Sequence, residues 1–168
     1  MKRINIICAV FCAVFILAAG CSSGGSGIFS APTLPDTTSM REVYADASAV
    51  IEAGELHTAA CNTSGSDASQ YCLLRMKMTN NGIQSIAVSS QLCIEVSCGS
   101  EPCEVIGVFD DRLPAFDGVD VVVPFDGLVR PGETHEGYIA FISPADAASF
   151  DFKFALDYAD NIWVEFSF

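Results

Sequence analysis

Period-two alternation near the C-terminus constrains this chain more than any other feature. Phe150, Phe152, Phe154, Leu156 and Tyr158 alternate with Asp151, Lys153, Ala155 and Asp157, Ala159-Asp160-Asn161 interrupts, and Ile162, Val164, Phe166 and Phe168 then alternate with Trp163, Glu165 and Ser167. Successive strand residues point to opposite faces, so each run buries one face and wets the other. Two such runs about a short polar break predict an antiparallel hairpin.

The same period recurs upstream. Cys72, Leu74, Met76 and Met78 share a face while Arg75 and Lys77 point away, and Asn80-Asn81-Gly82 follows as a turn with positive-φ residues. Leu92, Ile94, Val96 and Cys98 fall on one side of another run, which puts Cys93 out of phase. Val119 to Phe125 and Glu136 to Ile142 read as two further strands separated by the turn Arg130-Pro131-Gly132-Glu133. Residues 41–52 have both weak helical character and alternation, so a short helix and a first strand stay open. About seven short strands with turn signals and no long helix predict an all-β, antiparallel sandwich.

The N-terminal region carries an address. Lys2 and Arg3 precede an apolar run from Ile4 to Leu17, then Ala18-Ala19-Gly20-Cys21 and the Ser/Gly stretch 22–27. A positive head, a short apolar middle and small residues make an export signal. A cysteine at the end of that run resembles the lipobox of bacterial lipoproteins, which implies a signal helix over 1–20 and lipid on Cys21. The apolar run is shorter than the roughly 20 residues that cross a bilayer. Residues 21–40 are Ser, Gly, Thr and Pro with few large apolar groups and read as a flexible linker, and 41–168 as one domain. The expected location is the extracytoplasmic face of the cell membrane, held by lipid.

The formal charge of -13 becomes -15 once Lys2 and Arg3 leave with the signal. Nucleic acid is excluded as a partner, because binding it takes a basic footprint. Of eight cysteines, Cys8 and Cys12 leave with the signal and Cys21 takes lipid. The remaining five, outside the cytoplasm, give two disulfides and one thiol. The expected pairs are Cys98 with Cys103 and Cys61 with Cys72, leaving Cys93 free. A zinc site is the competing reading of Cys93, Cys98 and Cys103, but paired Cys-x2-Cys knuckles are missing.

No catalytic constellation stands out. His57 and His135 lie outside any Gly-x-Ser-x-Gly context, and His135 reads as a solvent-facing strand residue. Asp110, Asp111, Asp117, Asp120 and Asp126 could offer oxygens to calcium, but their spacing matches no EF-hand loop. They read more simply as surface turns, so neither metal nor cofactor is expected. Trp163, out of phase with its strand's apolar face, is either packed under a loop or part of a binding surface.

Three segments together resemble a known family: Arg75-Met76-Lys77-Met78-Thr79-Asn80-Asn81-Gly82, then Ile86-Ala87-Val88, then the run from Leu128 to Phe141 containing Pro131-Gly132-Glu133 and Gly137-Tyr138-Ile139-Ala140-Phe141. The pattern is similar to the telokin-like lipoprotein domain of the DUF4352 type, over about Glu55 to Phe168. The resemblance implies an immunoglobulin-like sandwich outside bacterial cells, without enzymatic activity or transferable catalytic residues. The cysteines and the long segment from Cys98 to Phe125 depart from it. The expected role is a non-enzymatic recognition or scaffolding surface for an envelope or host protein. A ligand- or calcium-binding lipoprotein is the alternative, and an exported hydrolase a more distant one.

Overall fold

The computed structural model describes residues 40–61 and 68–168. Residues 1–39, and with them Cys21 and nearly all of the expected linker, lie outside the described residues.

The described residues form eleven strands: β1 (Arg41–Ala45), β2 (Ala49–Ala60), β3 (Ser69–Asn80), β4 (Ile86–Val88), β5 (Ile94–Cys98), β6 (Glu101–Pro102), β7 (Glu104–Ile106), β8 (Gly127–Val129), β9 (Thr134–Pro144), β10 (Asp151–Asp157) and β11 (Ile162–Ser167). Seven of these have five residues or more. A five-stranded sheet of order β1-β2-β3-β9-β7 faces a four-stranded sheet of order β11-β10-β5-β6, and β4 pairs with β8 as a short ladder. Every strand pair is antiparallel. The chain is thus an all-β, immunoglobulin-like antiparallel sandwich. Among the described residues, no helix is long and apolar enough to cross a membrane.

The alternation supplies the core. Met76 and Met78 from β3, Ile139 and Phe141 from β9, and Phe152 and Phe154 from β10 all meet in one buried cluster. Phe141 lies edge-on to Phe150 at 5.1 Å and to Phe152 at 6.0 Å, and Phe152 stacks on Phe166 at 5.2 Å. Each such side chain contributes roughly 1.5–3 kcal/mol through burial, and edge-to-face geometry about 0.5–1.5 kcal/mol more.

The hairpin is present as expected, with Phe152 opposite Phe166 and Phe154 opposite Val164. It departs from strict alternation at a register shift between Ala155 and Asp157. The extra residue lies on β10, so beyond the bulge Tyr158 changes face and is 58% exposed, while Ile162 keeps the phase of Val164 and Phe166 and is 51% exposed as the first residue of β11. Asn161 takes φ 56°, a left-handed value that Asn tolerates in a turn. In 41–52 the strand alternative holds: β1 and β2 flank a turn in which Asp46 accepts hydrogen bonds from the Ser48 and Ala49 N–H groups at 2.7 and 2.8 Å.

Three expectations need correction. Val119 to Phe125 is no strand of the sandwich; it makes a single bridge, Pro124 to Tyr138. Pro124 has no N–H to give a ladder, and the segment instead packs Val119 and Val122 on the outer face of the five-stranded sheet before inserting Phe125 into the core. It passes β9 at Gly137, where a Cβ would come within 2.5 Å of the Pro124 carbonyl oxygen. The Asn80-Asn81-Gly82 turn does not rely on positive φ. Fully buried Asn80 holds it through its side chain, donating to the Gln84 and Val129 carbonyls at 2.8 Å each and accepting from Gly82 N–H at 2.9 Å. Leu92 is 63% exposed because β5 starts only at Ile94. By contrast, Pro131-Gly132 turns as expected, with Gly132 at φ 77° and Glu133 N–H donating to the Arg130 carbonyl.

Candidate functional site

The outer faces of the two sheets have opposite fates. On the five-stranded sheet, Leu73, Tyr138 and Ala140 are buried beneath Val108 and Phe116 with Leu113, Val119 and Val122 packed around them. Residues 107–123 therefore roof that face. Arg75, 4% exposed on the same face, pairs with Glu136.

The outer face of the four-stranded sheet has no such cover. Lys153 stands opposite Glu165 on β11 and Glu95 on β5, with its ammonium 3.2 Å from Glu165 Oε1. One row along, Asp151 stands between Ser167 and Ser97 and accepts from the Ser167 hydroxyl at 2.7 Å. These rows line a depression of about 600 Å³ that also reaches Pro102 and Cys103.

Trp163 belongs to this face. It is half-buried, opposite the fully buried Ala155, with its indole N–H on Asn161 Oδ1 at 2.9 Å and its ring edge-on to Tyr158 at 6.1 Å. Around the Tyr158 end the surface turns apolar. Leu92, Leu156 and Tyr158 line one depression, and Ile83, Leu156 and Ile162 line its neighbour. Ile83 is 93% exposed. Sequence reasoning singled out Trp163 but missed Ile83, Leu92 and Ile162. For Ile83 the signal was available: an apolar residue just past Asn-Gly sits in a loop.

Orientation follows from β1 and β11. Arg41 lies 4.9 Å from the Phe168 ring centroid, so β11 runs from the apolar end at Ile162 toward the entry of the domain. Ser48, after the far end of β1, lines the same depression as Ile83 and Ile162. Six residues of strand separate the two ends by about 20 Å.

The structure joins none of Cys61, Cys72, Cys93, Cys98 and Cys103 in a disulfide. The expected Cys61 to Cys72 bond is corrected: Cys61 N–H bonds to the Ser69 carbonyl while Cys72 stands opposite Thr58, three register positions away. That offset is about 10 Å along the strand, beyond the roughly 7 Å that a disulfide spans. Cys72 is buried in the core, its sulfur 3.4 Å from the Ser143 hydroxyl, and burial raises its thiol pKa. The Cys61 thiol is held below its ordinary value by hydrogen bonds from Tyr71 and Ser69. Cys93 is 5% exposed and donates to the Ala87 carbonyl at 3.6 Å. Cys98 and Cys103 are half-buried against the same core.

His135 is not a solvent-facing residue. It is half-buried with its ring 5.5 Å from Phe125, because odd-numbered β9 residues face the core. His57 lies against Phe116 at 6.5 Å and 3.8 Å from Glu55. Two of the acidic candidates have separate employments. Asp110 binds the Arg112 guanidinium at 2.9 Å, which holds its carboxyl at about 2, and Asp126 accepts from Ser90 N–H at 2.5 Å. Among the described residues, no group of three or more His, Cys, Asp or Glu is placed to hold a metal ion.

Comparison with known proteins adds the fold alone. No family model and no curated protein matches the chain. A Bacillus subtilis protein (ycdA) described as a lipoprotein aligns with a TM-score of 0.54 at 10% identity, over 79% of this chain and 39% of its own. This chain thus spans about two fifths of that relative. A functionally unknown Listeria monocytogenes protein aligns at TM-score 0.49 and 14% identity over 77% of this chain and 82% of its own. An uncharacterised β-sandwich protein from Clostridium difficile aligns at TM-score 0.39 and 14% identity, over 69% and 84%.

Proposed function

We propose that the chain is a non-enzymatic, lipid-anchored extracytoplasmic sandwich, held to a bacterial membrane through Cys21. Its apolar end, together with the bare face of the four-stranded sheet, contacts an envelope or host protein. This reading places it with the telokin-like lipoprotein domains of the DUF4352 type. The observation that carries it is the asymmetry of cover: one sheet is roofed by residues 107–123, while the other exposes Glu95, Lys153 and Glu165 beside Tyr158, Trp163 and Ile162. An aromatic and aliphatic centre with a charged rim is the composition of contact surfaces. The entry at Arg41 and this apolar end lie at opposite ends of β11, so a tether attached before Arg41 leaves the apolar end facing outward. Two phenylalanine-packed histidines and dispersed carboxylates fit a binding role better than a hydrolytic one.

Growth with an alkyne analogue of palmitate tests the anchor. The full chain takes up label and sediments with membranes, and Cys21→Ala abolishes both. An unlabelled wild-type chain in the cytosolic fraction overturns the proposal. For the surface, fluorescence of Nile red with the native protein falls at least twofold in the double variant Ile83→Asp, Ile162→Asp at unchanged Tm. Equal dye fluorescence in that variant removes the apolar end from the reading.

A further inference from the structure

Three thiols from separate parts of the chain converge where it leaves the four-stranded sheet for the five-stranded one. Cys98 ends β5, Gly99 at φ 60° and Ser100 make the turn, Glu101 and Pro102 run back as β6, and β7 begins in the other sheet at Glu104. Cys103 is the crossing residue. Its N–H donates to the Val96 carbonyl at 2.8 Å, which continues the register of Ser97 with Pro102 and Cys98 with Glu101. Cys103 therefore stands opposite Val96 and on the same face as Cys98, one diagonal away. Both side chains pack on the core that contains Cys72. Burial first, then the neighbouring thiols of Cys98 and Cys72, push the Cys103 thiol up to about 11.

Geometry decides between the two partners. Cys72 is on β3 and Cys103 immediately precedes β7, with β9 between them in the sheet. Strands two apart are separated by about 9.6 Å, out of disulfide reach without moving β9. Diagonal residues of a hairpin have Cα atoms about 7–8 Å apart, and a small contraction brings them within range. The contraction falls on β6, an exposed edge strand of two residues beyond a two-residue turn. Pro102 donates no hydrogen bond to β5, so this edge is held only at the Cys98–Glu101 and Val96–Cys103 positions on either side of it.

We propose that Cys98 and Cys103 close a disulfide that pins the crossover between the sheets, while Cys72 stays a thiol. Two S–H bonds break and one S–S bond forms. The two electrons and two protons pass to a disulfide-bearing oxidant, which leaves as two thiols through a mixed-disulfide intermediate. With the Cys103 thiol held high, closure accelerates as pH rises toward 11. The inference needs no reading of the contact surface, and supplying the oxidant in the tube makes its test independent of export.

The full chain, purified reduced in detergent, is exposed to oxidised glutathione, alkylated in denaturant and cut after glutamate. Cleavage after Glu95 and Glu104 isolates Val96 to Glu104, which holds Cys98 and Cys103 without Cys93, and Pro102 protects the bond after Glu101. The expected peptide is lighter than its reduced form by two hydrogens and carries no alkyl group. It persists in Cys72→Ser and disappears in Cys98→Ser. Reduction lowers Tm of the oxidised wild type by roughly 5 °C and leaves that of Cys98→Ser unchanged. A peptide alkylated or glutathione-capped at both cysteines, or Cys103 joined to Cys72, overturns the proposal.

Discussion

The two sheets share a core yet differ in what their outer faces touch. β3 and β9, at the centre of the five-stranded sheet, are buried on both faces through their middles, whereas β10 and β11 expose Asp151, Lys153, Glu165 and Ser167 between buried core residues. Burial on both faces makes a strand sensitive to any change in volume or charge. One-sided burial leaves a face whose residues can change without threatening the fold, and such a face is free to be specified by a partner.

The comparison is tested most severely in the shared core. Phe141→Ala removes a fully buried ring that touches Phe150 and Phe152, and a loss of about 3–5 kcal/mol is expected in urea unfolding. Arg75→Met takes the guanidinium from the part-buried Glu136 carboxylate, with a loss of about 3 kcal/mol by the same measurement. Gly137→Ala drives a methyl into the Pro124–Phe125 backbone. It costs about 1–3 kcal/mol and speeds hydrogen exchange at Tyr138 N–H, which donates to the Val123 carbonyl.

Acid gives a smaller effect. Hydrogen bonds from Ser48, Tyr44 and the Ala49 N–H hold the Asp46 carboxyl at about 2, below its ordinary 3.8. The folded value is the lower one, so the stabilisation is present above pH 4 and disappears as pH falls through 2. Asp46→Asn flattens that limb of a Tm against pH curve. Least of all, Lys153→Ala on the bare face breaks an exposed pair and changes stability by less than about 0.5 kcal/mol. A loss there as large as that of Arg75→Met would erase the distinction between the faces.

Legibility in the sequence followed the same division. The β10–β11 hairpin was readable because Phe152, Phe154, Val164 and Phe166 have one buried side and one wet one. The roof was not. Val119, Val122 and Phe125 are apolar enough for a strand, and nothing local says that Phe125 turns inward while Val122 stays outside. That outcome depends on Gly137, distant in sequence, leaving room for the chain to pass. Trp163 was legible as an out-of-phase aromatic, but Tyr158 read as core because the bulge after Ala155 has no sequence signature, and Ile162 because alternation does not show where the strand leaves the core. The cysteines were the hardest to read. Parity and spacing paired Cys61 with Cys72, whereas strand register sets them three positions apart.

The contact of Arg41 with Phe168 also has a mechanical consequence. Tension between an anchor upstream of Arg41 and a partner gripping Tyr158 would run along the strand axes. Loaded that way, neighbouring strands slide rather than peel, so hydrogen bonds across a ladder must rupture together instead of one by one.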